Sequence, residues 1–560
     1  MTLDGTGLTR RAALAAPMGL LTACRGTAAA PFDGTWLGAS HARGHRLRAV
    51  SPLTPGATKR CAVAVIGAGV AGLAAARALL RAGIDDLQVF ELEDEAGGNA
   101  RGHRLGGMAC PLGAHYLPLP GSDAHEVSEW LHELGLLRNV AGRTVADERQ
   151  LCHSPQERLW VEGQWLDGLL PPAERGSARE RQYRRFSQLV ASVSHERRFT
   201  IPSHRAGWSA GHTALDAAPF ARWLDSHGLD DPGLRWFLDY SCRDDYGADS
   251  TAVSAWAGLH YFASRHGFQA PGASDGPERE AVFTWPEGNA WLTRQLAAPL
   301  GERLHAGALV QRIETTRHDV AIDVQHLATD PRSERWIARQ VVLALPLHVA
   351  ARILAQAPAA LVEAAAQLTH APWLVANLHL RSPLTDKPGA APSWDNVLYD
   401  PGAPGSNTAA LGYVDAMHQS LRPAPGPTVL TAYWALGSGD RAALSRRRQA
   451  LQDEPWSTWS RRVVDDLARA HPDLPAKTAR VDLMRYGHAM AIPAPGVRGS
   501  AALQALAQPL AARLHFAHSD LAGYSVFEEA FTLGDAAGRA AAGGVTRSRT
   551  APSPSGRGRG

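Results

Sequence analysis

The chain has 560 residues, of which 45% are hydrophobic and 20% charged, so a globular protein with a large core and two domains is expected. Its formal net charge of +3 is too small to indicate a nucleic-acid partner, and no apolar run reaches the ~18 residues of a membrane-spanning helix. Neither the cysteines nor the histidines have the spacing of a metal site, so no metal site is expected.

The first 24 residues resemble an export signal. Thr9-Arg10-Arg11 precedes an apolar stretch at 12–23, which has the length of a signal-peptide core. The arginine pair resembles a twin-arginine signal, and the segment ending at Cys24 resembles a bacterial lipobox, in which the cysteine is lipidated. We therefore expect a lipid anchor on the periplasmic side of a bacterial membrane, with residues 25–58 as a tether. The alternative is an unprocessed cytoplasmic tail.

The next segment predicts a dinucleotide site. A buried strand at 62–66 leads into Gly67, Gly69 and Gly72, which have G-x-G-x-x-G spacing, and then into an alanine-rich helix. A second strand ends at Glu91, nineteen residues after the last glycine, where an acid bonds the adenine ribose. The helix N-terminus would face the phosphates with its unpaired N–H groups. The alternative is a glycine-rich turn that serves packing alone.

The rest of the chain predicts an α/β fold in which one domain is discontinuous. Strand and helix patterns place a Rossmann-like cofactor domain at 59–126, 283–349 and 506–545. The segments 127–282, read as largely helical, and 350–505, read as an antiparallel sheet, would form an α+β substrate domain. Residues 546–560 have low complexity and predict a disordered tail.

The glycine turn, Glu91 and the pair Gly97-Gly98 together resemble the flavin-containing amine oxidase superfamily, which also includes phytoene desaturase-like and protoporphyrinogen oxidase-like enzymes. Further matches are the segments 113–116, 287–289, 344–346 and 516–520. The resemblance implies FAD as the cofactor, with Asp520 near the ribityl-pyrophosphate or, as a simpler role, capping the final helix. It implies FAD contacts from Gly67, Ala68, Gly69, Val70, Ala71, Gly72, Glu91, Gly97, Gly98, Asn99, Gly113, Ala114, His115, Val310, Ala344, Asp520 and Phe527.

The sequence departs from the family pattern at three places. Asn99 stands where the family usually has arginine after the double glycine. The strand at 373–380 contains no lysine, whereas many family members place there a lysine linked to the reaction with oxygen. Lys387 falls beyond that strand, and Tyr524 is offset from the position of the aromatic cage, where simple alignment puts Val526.

The chemistry at the far end of the flavin is less defined by the sequence. Trp373, Asn377 and His488 are the catalytic candidates, and the tryptophans Trp285, Trp373, Trp394 and Trp434 are candidates for an aromatic wall, although core packing is the commoner fate of each. The acids of 239–247 could anchor a cationic substrate, but a helix end with solvated acids, closed by Gly247, is the favoured interpretation.

These observations predict an exported FAD-dependent oxidoreductase that transfers a hydride from an amine or a C–C or C–N bond to the flavin. Oxygen and a quinone both remain possible electron acceptors, and the missing lysine favours an acceptor other than oxygen. The alternatives are a flavin-binding lipoprotein without turnover and, less favoured, a nicotinamide-dependent dehydrogenase.

Overall fold

The computed structural model describes residues 32–48, 55–265, 267–270, 281–327, 332–399, 409–420, 422 and 424–550, with the backbone alone for 548–550. The predicted export signal with Cys24 lies outside the described residues, as do positions 551–560 of the predicted tail.

The described chain contains both strands and helices. The strands are β1 (Asp33–Leu37), β2 (Ala57–Ile66), β3 (Leu87–Phe90), β4 (Gly102–Leu105), β5 (Met108–Pro111), β6 (Tyr116–Pro118), β7 (Leu137–Val140), β8 (Arg143–Ala146), β9 (Glu157–Val161), β10 (Gln164–Asp167), β11 (Val282–Thr284), β12 (Leu304–His305), β13 (Ala308–Thr315), β14 (Val320–His326), β15 (Ser333–Leu343), β16 (Thr369–Leu380), β17 (Asp395–Leu398), β18 (Ala410–Asp415), β19 (Thr428–Ala435), β20 (Thr478–Ile492) and β21 (Leu514–Phe516). The α-helices are α1 (His41–His45), α2 (Val70–Arg81), α3 (His125–Glu133), α4 (Ala178–Glu196), α5 (Ala210–Asp216), α6 (Phe220–Ser226), α7 (Pro232–Tyr246), α8 (Ala255–Ala263), α9 (Ala290–Ala297), α10 (Leu347–Ile353), α11 (Ala359–Gln367), α12 (Arg441–Asp453), α13 (Trp456–Ala468), α14 (Leu474–Lys477), α15 (Ala501–Ala505) and α16 (Phe527–Thr550).

A seven-stranded sheet carries the glycine turn. Its order is β12-β3-β2-β15-β14-β13, and β21 pairs with β15. The strands β12, β3, β2, β15 and β21 are parallel, so their carboxyl ends meet at one edge, where ligands of open α/β sheets bind. The central strand β2 is buried from Cys61 to Ile66, as the apolar run predicted.

Helices α2 and α16 pack on each other beside this sheet. A Cβ at Gly534 would lie 2.0 Å from the carbonyl oxygen of Ala71, and one at Gly538 would lie 2.4 Å from that of Ala75. Glycine at these two positions therefore lets the closing helix touch the backbone of the helix that follows the phosphate turn. The apolar side of α3 joins the same core through Val127 and Trp130.

An eight-stranded sheet forms the floor of the second part of the molecule. Its order is β1-β20-β16-β19-β18-β17-β9-β10, antiparallel except for the pairs β1–β20 and β17–β9. Side chains of β16 alternate between two cores, because successive residues of a strand point to opposite faces. Trp373 and Val375 pack with the helices α4–α8, and Leu374 and Leu378 pack against α13.

The α/β fold class, with a Rossmann-like sheet and an α+β second part, is confirmed. Three segments differ from expectation. The tether predicted at 25–58 contains β1, α1 and the first residues of β2. The segment predicted as helical, 127–282, supplies the outer strands β9 and β10 of the floor. Helix α16 continues to Thr550, into the predicted tail.

Among the described helices, none is both long enough and apolar enough to cross a membrane. The four described cysteines are unpaired. Burial raises the pKa of the Cys61 thiol to about 12, so this residue acts as a small apolar side chain, as the sequence predicted.

Candidate functional site

The glycine turn adopts a conformation that requires glycine. Gly67 follows β2 with a φ of +97°, and a Cβ there would lie 2.4 Å from the carbonyl oxygen of Ala344. A Cβ at Gly72 would lie 1.8 Å from the carbonyl oxygen of Gly67. The first turn of α2 has neither an acidic residue nor a side-chain cap, so its free N–H groups can receive a diphosphate.

Glu91 closes this turn from the neighbouring strand. Its buried carboxylate accepts hydrogen bonds from the backbone N–H of Ala68 (2.8 Å) and of Glu93 (2.9 Å). A carboxylate has about four acceptor positions, so lone pairs remain for ribose hydroxyls. Burial raises the pKa of Glu91, and a hydroxyl donor would favour its charged form.

The double glycine faces the turn. The Gly97 N–H donates to the Ala68 carbonyl (2.8 Å), and a Cβ at Gly98 would lie 3.1 Å from the Cα of Gly69. Arg101, two positions after Asn99, is buried and donates to the Gly98 carbonyl (3.2 Å), so it supports the double glycine from within. Asn99 itself donates to the Ala489 carbonyl at 2.6 Å. The residues present therefore fit FAD at its adenosine-diphosphate end.

The segment 113–116 lies next to the double glycine. A Cβ at Gly113 would lie 2.1 Å from the Asn99 carbonyl oxygen, and Ala114 is exposed. Asn289 holds this segment by donating from its backbone to Ala114 (3.0 Å) and from its side chain to Tyr116 (2.8 Å). The Oδ1 atom of Asn289 is buried without a partner, which leaves an acceptor for a ligand.

Four aromatic rings gather at this segment, and two of them, His115 and Tyr116, belong to it. The His115 ring stacks on Tyr433 with a centroid distance of 4.4 Å and lies 5.4 Å from Trp394, which in turn meets Tyr116 edge-on at 6.0 Å. Burial lowers the pKa of His115 to about 3, so its imidazole is neutral. Tyr433 also donates to the Gly113 carbonyl (3.0 Å), which ties the rings to the floor.

Carboxylates border these rings. The Tyr116 hydroxyl donates to Asp244 at 3.2 Å, and burial together with Asp245 raises the pKa of Asp244 to about 7. Asp395 lies opposite Glu157 in the parallel pair β17–β9, where like charges repel. Burial, Asp244 and Glu157 raise the pKa of Asp395 well above its usual range. We call His115, Tyr116, Asp244, Trp394, Asp395 and Tyr433 the aromatic–acidic cluster.

The structure corrects the interpretation of the acids at 239–247. Asp231 caps the start of α7 by accepting from the N–H groups of Gly233 (2.9 Å) and Leu234 (3.0 Å), and Gly247 ends the helix in the left-handed conformation. The helix end is as predicted, but its acids are not solvated. Asp245 is buried against Arg265 (3.1 Å), and Asp244 faces Tyr116.

The three catalytic candidates lie in different surroundings. Asn377 is fully buried, donates to the Pro111 carbonyl (3.0 Å) and accepts from the Thr431 hydroxyl (2.7 Å), so its amide is used by the fold. Trp373 is buried, with an unpartnered Nε1. His488 lies in a group of histidines, with ring centroids 5.1 Å from His348 and 6.1 Å from His370.

Of the predicted aromatic wall, Trp394 lies in the aromatic–acidic cluster. Trp285 stacks on Trp291 at 4.7 Å, and Trp434 packs against Trp459 at 6.2 Å on the other face of the floor. Tyr524 is buried among helices and donates to Glu529 (2.7 Å).

Two predicted FAD contacts have other partners. The carboxylate of Asp520 accepts from the Leu347 N–H (2.9 Å) and bonds His370 (2.9 Å), so it caps α10 and not the final helix. Burial alone would raise the pKa of Asp520, but His518 and His370 hold it well below its usual range. Phe527 stacks between Trp130 and Phe531, at 6.2 and 6.0 Å.

The remaining predicted contacts keep their places beside the turn. Val70 and Ala71 open α2, and Ala344 touches Gly67. Val310 is buried on β13. Sequence reasoning missed Glu157, Asp395 and Tyr433 because their meeting depends on strand register, for which the sequence carried no local signal.

Comparisons with known proteins agree with this geometry. The model of the family described as flavin containing amine oxidoreductase matches residues 70–542, which is more than half of the chain. A tryptophan 2-monooxygenase from Allorhizobium ampelinum is 46% identical over 67 residues, 11% of this chain and only 9% of the relative.

Two solved structures show the same fold. A variant of putrescine oxidase has a TM-score of 0.61 and 16% identity, and the match covers 88% of this chain and all of that one. Cyclohexylamine oxidase from Brevibacterium oxydans has a TM-score of 0.61 and 18% identity, with 87% of this chain and 99% of that one covered. At these identities the likeness is one of fold.

Proposed function

The chain belongs to the flavin containing amine oxidoreductase family and is an FAD-dependent oxidoreductase, and we propose that it transfers a hydride from a small amine to the flavin. The observation that carries the choice of an amine is the aromatic–acidic cluster, which adjoins the segment 113–116 of the cofactor site. Oxidation of a C–C or C–N bond of an uncharged substrate, in which the hydride leaves from a C–H bond, is the second form of the proposal.

The residues of the site would divide the work as follows. The glycine turn, Glu91 and the double glycine would hold FAD, which supplies the hydride acceptor when bound. The rings of His115, Trp394 and Tyr433 would exclude water and hold the substrate carbon.

Asp244 would attract the substrate ammonium. With a pKa of about 7, Asp244 is divided between its two protonation states at neutral pH and can hold the proton that the amine must lose before oxidation. The Tyr116 hydroxyl, 3.2 Å from Asp244, would orient the carboxylate.

Anaerobic flavin bleaching tests this proposal. Purified protein with bound FAD is mixed without oxygen with putrescine, cyclohexylamine and other amines, and with alcohols of the same carbon skeletons. We expect at least one amine to bleach the absorption near 450 nm and its alcohol to leave it unchanged. Flavin that stays oxidised with every amine would contradict the proposal and favour a flavin-binding lipoprotein without turnover.

We further propose that the electron acceptor is not oxygen. Strand β16 contains no lysine, and Lys387 lies beyond its end at Leu380. Reduced protein should therefore reoxidise faster with a quinone than with air in a stopped-flow experiment. Equal rates with both acceptors would contradict this.

Export and lipid attachment belong to the same proposal. The motif at 9–11 and Cys24 support the twin-arginine route, which carries folded proteins, and a lipid anchor on the periplasmic side. Full-length protein expressed with radiolabelled palmitate should carry label and sediment with membranes. The Cys24→Ser variant should lose both properties, and label that persists in this variant would contradict the anchor.

A further inference from the structure

Residues 32–48 form a strap that touches both sheets of the molecule. Strand β1 adds to the edge of the floor in parallel with β20, from the pair Asp33–Arg480 to the pair Leu37–Met484. Phe32 is buried and meets Trp456 edge-on at a centroid distance of 6.0 Å. One end of the strap is therefore fixed to the floor by backbone pairing and by apolar packing.

The middle of the strap binds the loop that follows Glu91. The Ser40 N–H donates to the Glu93 carboxylate at 2.9 Å. Arg43 donates to the Asp94 carboxylate at 2.6 Å and to the Leu92 carbonyl at 3.4 Å. The Glu93 N–H, in turn, is one of the two backbone donors that hold the Glu91 carboxylate. Glu93 thus links the strap to Glu91, the acid that is predicted to bind the ribose.

The last part of the strap enters the core beneath the cofactor sheet. Leu47 is buried in the same apolar cluster as Phe90, Ile66 and Val310, and Arg352 donates to its carbonyl at 3.0 Å. Phe90 and Ile66 are the last residues of the two strands that lead into Glu91 and the glycine turn. This anchor lies next to the carboxyl edge of the sheet, where the adenosine end of FAD belongs.

The strap also brings positive charge to this edge. It carries Arg43, Arg46 and Arg48. The charge of Arg48 acts on the imidazole of His488. His488 is next to Ala489, whose carbonyl accepts the hydrogen bond from Asn99.

We propose that the strap of residues 32–48 is a latch on the FAD site, which holds the 92–94 loop in place and slows the release of the cofactor. Cofactor enters when the strap is undocked and is retained when Ser40 and Arg43 bind the loop. The proposal concerns retention of FAD, so it holds or fails independently of which substrate is oxidised.

The rate of FAD release from the full-length holoprotein tests the latch. Release is followed as the rise in flavin fluorescence after dilution. We expect Arg43→Ala to release FAD about tenfold faster than the wild type, because an ion pair and a hydrogen bond to the loop are lost. The control is Arg184→Ala, which removes an ion pair to Glu180 within α4, away from the strap, and should not change the rate.

A second measurement guards against a purely structural effect. Trypsin cleavage after Arg46, an exposed residue of the strap, is quantified by mass spectrometry in protein with and without FAD. FAD should slow this cleavage severalfold and leave cleavage after Arg175, an exposed arginine in the turn before α4, unchanged. The latch would be refuted if Arg43→Ala released FAD at the wild-type rate, or if trypsin cleaved after Arg46 equally fast with and without FAD. Absence of FAD binding to the wild type would instead refute the proposed function.

Discussion

At the scale of single residues, Asp244 and Asn377 show how burial decides chemistry. Both are polar residues in regular elements that face the interior. Asn377 has two protein partners for its amide and is a structural residue. Asp244 accepts a hydrogen bond from the Tyr116 hydroxyl and lies beside other acids. Its carboxyl can therefore gain or lose a proton near neutral pH and can bind a cation.

Substitution of Asp244 by Asn should raise the KM for an amine at least tenfold, because the ammonium loses its charged partner. The acidic limb of the kcat/KM profile near pH 7 should also disappear. The sign follows from the raised pKa: activity that needs the ionised carboxylate rises with pH through about 7. Steady-state kinetics from pH 5.5 to 9 measure both effects.

The matched control is Asp225→Asn, since Asp225 is an exposed acid that ends α6 in an ion pair with Arg235. It should leave KM and the pH profile unchanged. A folding defect would not explain a higher KM in Asp244→Asn, because a neutral amide can be buried at this position without the cost of ionising a buried carboxyl. An unaltered KM in Asp244→Asn would remove this residue from the substrate site.

At the scale of elements, the contact between α2 and α16 positions the phosphate turn. Glycines of the closing helix α16 press against the backbone of α2. Gly534 meets Ala71, the second residue of α2, within the first turn of that helix. A change in this contact is therefore transmitted to the N–H groups that receive the diphosphate.

Gly534→Ala should lower the stability by about 1–3 kcal/mol, because the added methyl group would lie 2.0 Å from a backbone oxygen and must push the helices apart. Urea unfolding measures the free energy, and equilibrium titration with FAD should show weaker binding. Lower stability together with weaker FAD binding would show that the contact between α2 and α16 supports the cofactor site.

Gly543→Ala on the same helix is the control. Its new Cβ would meet only the flexible end of Arg547 at 3.4 Å, so the higher helix propensity of alanine should leave stability unchanged or raise it by up to about 1 kcal/mol. If both substitutions have the same effect, helix propensity explains the result and close packing does not.

At the scale of the whole molecule, buried neutral histidines make the fold sensitive to acid. Burial lowers the pKa of His260 to about 3 and the pKa values of His471 and His515 to about 4. Their imidazoles contact Thr200, Tyr413 and Gln340, respectively. The unfolded chain binds protons at these histidines near pH 6.5, whereas the folded chain does not.

The stabilising contribution of these three histidines is therefore complete above about pH 6.5 and should be lost as the pH drops toward 4, by up to about 1.4 kcal/mol per pH unit for each histidine. Urea unfolding at pH 7.5, 6 and 5 measures the slope. The variant His515→Gln keeps a polar partner for Gln340. Its slope of unfolding free energy against pH should be shallower and correspond to about one proton fewer taken up on unfolding. A slope identical to that of the wild type would show that His515 does not titrate on unfolding.

The sequence by itself determined the glycine turn and the acid that closes it, where the adenosine end of FAD is predicted to bind. Gly67, Gly72, Glu91 and the double glycine are recognisable because each backbone conformation or hydrogen bond there tolerates few residue types, and the elements that carry them are close in the chain. The alternation of apolar residues likewise predicted the central strands, since burial on one or both faces leaves a period that can be read locally.

Only the tertiary structure decided which polar residues meet. The pairing of β17 with β9 sets Asp395 opposite Glu157, and the pairing of β1 with β20 turns a predicted tether into a strap across the cofactor edge. Asp520 caps α10 because β21 and β15 end side by side. These contacts join residues more than 170 positions apart, and strand register is fixed by the packing of the whole sheet rather than by any local pattern.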